Sequence, residues 1–430
     1  MGTFECLYLA FFILFVYLIV LLGQKRNRLL LPSVTNSIMW CATIFLILCQ
    51  LNGVVVSKHV SENVFNHSAR MILYMSIAST VAFIYAHIFF NQPAISSKPN
   101  YRTGENLQLI LKRFRWIPWL CLVVGVCLLF FLISIMGSWE NFGKYREIAV
   151  STERTGWIAP IQRVSGHLSF LGTFYLMLLG YFHGITRFNL KVFLLYFFLC
   201  SAINMAIGGR VWILSSSLPY FSTFILGRHN TKISSATKND LKKLVIVAVI
   251  FISLFSLIGI LRSDNNVTEN GGRGVDKFLY LTDGARMTNM MINQYPEGSY
   301  QYEYGSSTLL QNIVDSPMRN AFQASLSYDI GLSVTVKSVM PPLYYDFGMV
   351  GGAIFWGFIC FLLEIFALIS SRRNTILSII VYGELCTMIS QAPVGNIVSI
   401  TTPAFEWILI IFFFRKDLFK GITPAPHSTT

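Results

Sequence analysis

The residue best suited to chemistry in this chain is Arg210, in the run Ala206-Ile207-Gly208-Gly209-Arg210-Val211-Trp212 between two long apolar stretches. An arginine so close to hydrocarbon is costly and needs a partner. Its planar fork fits a phosphate through two parallel hydrogen bonds. The two glycines before it let a ligand approach the backbone, and the helix starting after it adds the positive end of its dipole. Snorkelling to lipid head groups, or pairing with a loop carboxylate, would occupy the same side chain without chemistry. His167 follows Arg163 by four residues near one end of an apolar run. An imidazole there is a candidate general base, and equally a packing or hydrogen-bonding residue.

Most of the remaining polar chemistry sits in one long segment, about Arg262 to Leu343. Its basic residues are Arg262, Arg273, Lys277, Arg286, Arg319 and Lys337. Against them stand eight acids, among them Asp283 and Glu297, and a group of tyrosines that includes Tyr300, Tyr302 and Tyr304. Aromatic faces pack on the C–H surface of a pyranose, while carboxylates and guanidinium groups meet its hydroxyls. A solvated loop with tyrosines at a membrane interface is the plainer reading. A shorter segment from about Gly137 to Arg163 sets Arg146, Arg154 and Arg163 among Glu140, Glu147 and Glu153, where mutual ion pairing accounts for them. Three acids, Glu364, Glu384 and Glu406, lie inside apolar runs. Such acids suit proton handling in a transporter, or act as neutral groups bonded to a neighbouring helix. His87 and His183 map to the cytoplasmic ends of their helices and are weaker candidates for chemistry than His167.

The elements that must hold these residues are transmembrane helices. Of 430 residues, 54% are hydrophobic and 12% charged, with a mean hydropathy of +0.58. That charge is about half what a soluble surface of this size carries. The apolar runs are continuous and long, so they read as helices and not as barrel strands. They fall at about 4–23, 34–56, 71–90, 116–136, 164–184, 189–208, 211–228, 244–261, 345–370, 375–391 and 397–414, which makes an all-α polytopic bundle of about 11 spans. The organisation expected is a first transmembrane block over 1–261, a large outer loop over 262–343, and a C-terminal block with a tail over 344–430. Short helices are expected inside the loop at 307–313 and 318–325. The eight cysteines all lie in apolar runs and form no CxxC pattern, so neither a disulfide framework nor a metal site is expected.

Lys and Arg give the orientation. Alternate loops hold 20 of the 33 basic residues, from Lys25, Arg26 and Arg28 through to Arg415, Lys416 and Lys420, against three acids. By the positive-inside rule these loops and the C-terminus are cytoplasmic, and the N-terminus and the 262–343 loop face the other side. The net charge of +13 is then topology facing acidic lipid, not a nucleic-acid surface. Walker, dinucleotide, HExxH and GxSxG motifs are absent from the sequence.

Together these features resemble the Wzy-type O-antigen polymerases, the oligosaccharide repeat-unit polymerases. The likeness is in architecture over nearly the whole chain: many spans, with one large outer loop late in the sequence. Gly208-Gly209-Arg210 looks like the family's short Gly/Ser-Arg segment. Leu343 to Gly351 (Leu-Tyr-Tyr-Asp-Phe-Gly-Met-Val-Gly) looks like its re-entry into the membrane, and Arg273 with Gly284 matches an Arg-x10-Gly pattern. The resemblance implies a metal-independent glycosyltransferase of the bacterial inner membrane that needs no cofactor. It would join repeat units carried on undecaprenyl pyrophosphate, on the periplasmic face, alongside a flippase and a chain-length regulator. Arg210 would serve the leaving diphosphate, with Arg273, Arg286, Arg319 and Arg163 binding substrate. His167, Asp283 or Glu297 would act as base, and Tyr300, Tyr302 and Tyr304 would stack on sugars. An O-antigen ligase shares donor and architecture; a lipid-linked oligosaccharide flippase or proton-coupled transporter is the alternative from another class.

Overall fold

The computed structural model describes residues 1–23, 31–54, 61–90, 105–136, 158–207, 211–230, 280–299, 338–373 and 375–393, with scattered residues at 246–253 and 407–423. The described residues are almost wholly helical. In chain order the helices are α1 (Thr3–Gly23), α2 (Pro32–Leu51), α3 (Asn66–Phe90), α4 (Leu107–Arg113), α5 (Trp116–Met136) and α6 (Ile158–Ile185). They continue with α7 (Leu190–Ile207), α8 (Val211–Asn230), α9 (Tyr280–Gln294), α10 (Met340–Ser371) and α11 (Ile376–Ser390). The exceptions are a 3-10 turn at Glu62–Val64 and one two-residue parallel pairing, β1 (Glu105–Asn106) with β2 (Ile422–Thr423).

Among the described residues six helices are long and apolar enough to cross a membrane: Thr3–Gly23, Pro32–Leu51, Asn66–Phe90, Leu107–Ser134, Val164–Ile185 and Met340–Ser371. Leu190–Ala206 and Ile376–Ser390 are apolar but shorter. A helix forms at 211–230 as expected, but its serines, Thr223, Arg228 and His229 keep it out of the six. The expected spans at 244–261 and 397–414 fall largely outside the described residues, as do the short helices expected at 307–313 and 318–325.

The chain divides into two compact units. Unit 1 comprises Met1–Pro93, Asn270–Leu368 and Leu385–Ala404; unit 2 comprises Ala94–Glu269, Ile369–Glu384 and Phe405–Thr430. In unit 1, α1 turns Phe12, Ile19 and Leu22 outward, as suits a helix facing lipid, and buries Leu7, Ala10 and Leu14. α2 is its most enclosed helix, and its buried side is half polar: Ser33, Thr35, Asn36, Ser37, Thr43 and Gln50. Some hydroxyls in these spans are satisfied by the carbonyl one turn back, as Ser37 is by Ser33 O at 2.8 Å and Ser76 by Ile72 O at 2.7 Å.

Unit 2 is built on close helix approach. α6 packs along α8, where a Cβ on Gly180 would overlap the Tyr220 carbonyl oxygen and the Thr223 hydroxyl. One on Gly184 would overlap the Phe224 carbonyl oxygen. Small residues that let backbones touch are how helices associate in lipid, where water supplies no driving force. Beside this seam, Phe188, Phe193, Tyr220 and Phe224 form an aromatic cluster, and His183 Nδ1 meets the Tyr220 hydroxyl at 2.6 Å.

One helix departs from the sequence reading. The 262–343 segment, taken as an outer loop, contains α9. Leu281, Ala285, Thr288, Met291 and Ile292 recur at helical spacing and are buried, so this part of the segment is a packed element of unit 1.

Candidate functional site

The residues singled out in the sequence fall into three groups. Arg210, with Gly208 and Gly209, lies between the end of α7 and the start of α8, outside the described residues, as do Arg273, Arg319, Tyr300, Tyr302 and Tyr304. Arg163 and His167 sit on α6 in unit 2, four positions apart, the spacing of neighbours on one helix face. His167 is partly buried, and the side chain of Arg163 is outside the described set. Asp283 and Arg286 sit on α9 in unit 1, three positions apart. Arg286 is partly buried where its neighbours Ala285 and Met287 are buried, and the side chain of Asp283 is outside the described set.

What makes α9 a platform is its anchoring. The first N–H groups of a helix have no partner within it, and in lipid no water replaces one. At the start of α3, Asn289 of α9 supplies it. Its Oδ1 accepts from the backbone N–H of His67 at 2.7 Å and, at a longer 3.4 Å, from Ser68, while its Nδ2 donates to the Asn63 carbonyl at 2.8 Å. The C-terminal end of α9 is tied to α10. The Tyr344 hydroxyl donates to the Tyr295 carbonyl at 2.9 Å, and the Met349 N–H donates to the Glu297 carboxylate. Near the other end, Gly284 lies so close to Ser338 and the Pro393 carbonyl that a Cβ would collide with both. Replacing the buried Asn289 with Ala should therefore lower stability by about 2 kcal/mol, because it removes a helix cap and leaves buried backbone groups unpaired. The check is the denaturation midpoint of the purified protein in detergent. Asn289→Asp keeps the accepting oxygen and should recover part of the loss.

Between these ties α10 is broken. Gly348 has φ 71°, ψ −172°, so the helix changes direction there. A positive φ is open to glycine and strained for a side-chain-bearing residue. Two residues earlier Asp346 is fully buried. A carboxylate enclosed at a helix break is a functional candidate.

The opposite end of unit 1 holds a second polar cluster, centred on Glu364, which is fully buried. Leu31 provides no side-chain cap for α2, and Pro32 at the first helical position has no N–H. Val34 and Thr35 donate to the Leu31 carbonyl, which leaves the N–H of Ser33 open. Glu364, reaching from α10, accepts it at 2.9 Å. The other carboxylate oxygen accepts from the Ser33 hydroxyl at 2.7 Å and meets His87 Nε2, on α3, at 2.8 Å. Three donors thus converge on one acceptor group, and one carboxylate joins α2, α3 and α10. His87 keeps 21% of its side chain exposed, so the pair has one accessible member. Among the described residues, no three His, Cys, Asp or Glu side chains gather as a metal site.

Chemically, α9 offers a guanidinium and a carboxylate one turn apart on an anchored helix, and the Glu364 cluster offers a buried acid bonded to a reachable imidazole. Neither a protein-family model, nor a curated protein, nor a solved structure matches this chain.

Proposed function

We propose that the protein polymerises oligosaccharide repeat units carried on undecaprenyl pyrophosphate, at the periplasmic face of a bacterial inner membrane. The observation that carries this reading is α9: the long charged segment between two membrane blocks includes a helix locked to the bundle at both ends, with Asp283 and Arg286 together on it. Binding energy for a lipid diphosphate is best supplied by groups that need no reorganisation. In the reaction, the bond between the anomeric carbon of the growing glycan and its phosphate oxygen breaks. A hydroxyl oxygen of the incoming unit forms the new glycosidic bond and gives its proton to a base, His167 or Asp283. The charge left on the diphosphate falls to arginines, for which the candidates are Arg210, Arg273, Arg286, Arg319 and Arg163. Tyr300, Tyr302 and Tyr304 provide stacking faces for the sugars.

The sidedness belongs to the same proposal: about 11 spans, periplasmic N-terminus and 262–343 segment, cytoplasmic C-terminus. Supporting it, Ser33, His87 and Glu364 meet at one end of unit 1, and His67, Asn289 and Tyr295 at the other. The alternation of basic residues calls for that grouping. A proton-coupled transporter or flippase is the second reading, favoured by the Glu364–His87 pair. We prefer the enzyme because Glu364 already has a structural task in closing the N-terminus of α2.

The test is complementation of a strain lacking the native protein with Arg210→Ala and Arg286→Ala, each beside its Lys variant, with surface polysaccharide length read on a gel. A polymerase defect leaves a single repeat unit on the core, and Lys, a point charge without the fork, restores part of the ladder. Long chains left off the core would indicate a ligase, and repeat units held on the cytoplasmic side a flippase. Full ladders from both alanine variants would overturn the site.

A further inference from the structure

Unit 1 contains buried polar atoms that its hydrogen bonding leaves over. Among the described residues, both amide atoms of Asn36, the indole N–H of Trp40 and the side-chain oxygen of Gln50 (α2), the Thr80 hydroxyl (α3) and the indole N–H of Trp356 (α10) have no hydrogen-bond partner. All five residues are at least nine-tenths buried. Leaving such groups dry is costly, so each calls for an occupant.

Apart from Gln50, at the far end of α2, they are not scattered. Asn36 and Trp40 lie three and seven residues inward from Ser33 on α2, Thr80 seven inward from His87 on α3, and Trp356 eight inward from Glu364 on α10. Those spacings keep each on the helix face that carries the Glu364 cluster. At about 1.5 Å per residue, Trp40, Thr80 and Trp356 reach one common depth, roughly 10–12 Å from the cluster. Asn36 stands at roughly half that depth by the same rise. Tyr17 stacks on Phe83, one turn in from His87, with ring centroids 6.2 Å apart, and its phenol lies beside Ser33 and Cys360. Three helices thus contribute two tiers of unpaired polar atoms above a bonded carboxylate. Thr80 is telling, since the hydroxyls of Ser37 and Ser76 are satisfied by carbonyls of their own helices and its own is not.

We propose that these tiers are a water-binding site, a hydrated polar column running inward from the Glu364–His87 pair to the middle of unit 1. Water fits where a cation or a sugar does not. The groups mix donors (two indole N–H) with groups that both donate and accept, carry no charge beyond the pair, and lie apart on three helices, each within reach of a small molecule that bonds in several directions. The column solvates the Glu364 carboxylate from within and gives the aqueous phase at His87 a route past the first turns of α2, α3 and α10. It stands apart from the polymerase reading, since neither Arg210 nor α9 belongs to it.

Cys360, fully buried one turn inward from Glu364, is a native reporter. Charged methanethiosulfonate reagents react with thiolate, which forms only where water reaches the sulfur. With the other seven cysteines replaced by alanine, Cys360 should react in membranes about tenfold faster than the thiol of an Ile47→Cys variant made in the background that also carries Cys360→Ala. Ile47 is equally buried on the same face of α2 but beyond the second tier. Equal rates overturn the proposal. A second measurement uses Thr80→Val, which removes the polar atom and keeps the shape. In a hydrated column it lowers the denaturation midpoint in detergent and slows modification of Cys360. In a dry core it removes an unsatisfied group and raises the midpoint, which would equally overturn the column.

Discussion

Glu364→Ala should be among the most damaging single substitutions in the protein, at about 3–5 kcal/mol, the usual cost of removing one member of a buried charged or hydrogen-bonded pair. Three donors lose their acceptor together: the Ser33 N–H, the Ser33 hydroxyl and His87 Nε2. The loss is more than one contact, because Ser33 stands at the second position of α2 and no other described group takes its N–H. The first turn of a mostly buried helix would then lose its built-in acceptor. Glu364→Gln should fall between wild type and Ala. Its amide oxygen still accepts, but its NH2 faces a donor where the carboxylate had none. His87→Ala should cost least of the three, since the capping of α2 survives. The measurement is the denaturation midpoint of purified protein in detergent, with the order Gln above Ala deciding the case; equal midpoints for Glu364→Ala and wild type would remove the capping role.

Gly180→Leu should abolish recovery of folded protein, and Gly180→Ala should cost about 1–3 kcal/mol, the range for overpacking a close seam. A Cβ there meets the carbonyl of Tyr220 and the hydroxyl of Thr223, neither of which can step aside without moving α8. Displacing α8 also pulls Tyr220 from His183 and from the ring of Phe193, whose centroid is 4.4 Å away. Gly166 is the internal control: it lies on the same helix with nothing within 4 Å of an added Cβ among the described residues, so Gly166→Leu should fold like wild type. Monodisperse yield by size exclusion separates the outcomes; normal yield for Gly180→Leu would mean that α6 and α8 do not touch as described.

Apolar runs were readable from composition because lipid leaves a backbone few options: the runs at 4–23 and 116–136 became Thr3–Gly23 and Trp116–Met136 nearly residue for residue. α9 escaped because its buried face is more than a third polar. Thr282, Thr288 and Asn289 are enclosed there, and an apolar-run criterion passes over such a helix even though Leu281, Ala285, Met291 and Ile292 keep the period. Glu364 and His87 could each be noticed, as an acid and an imidazole in apolar runs on the same side. Their meeting with Ser33 could not, because nothing local records which helix faces which. Asp346 lay in a quoted segment yet stood out only once its burial at the Gly348 break was known.

The trans-capping of α2 and α3 bears on how the protein is made. Ser33 waits for an acceptor 331 residues downstream, and His67 for one 222 residues downstream. A ribosome delivers the chain from the N-terminus, so α2 and α3 enter the bilayer long before Glu364 and Asn289 exist. During that interval their open ends need a substitute, from head groups, from water at the interface or from the insertion machinery. Nascent chains halted before residue 289 should therefore be strong clients of membrane quality control, and chains halted far enough past residue 364 to free it from the ribosome much weaker ones.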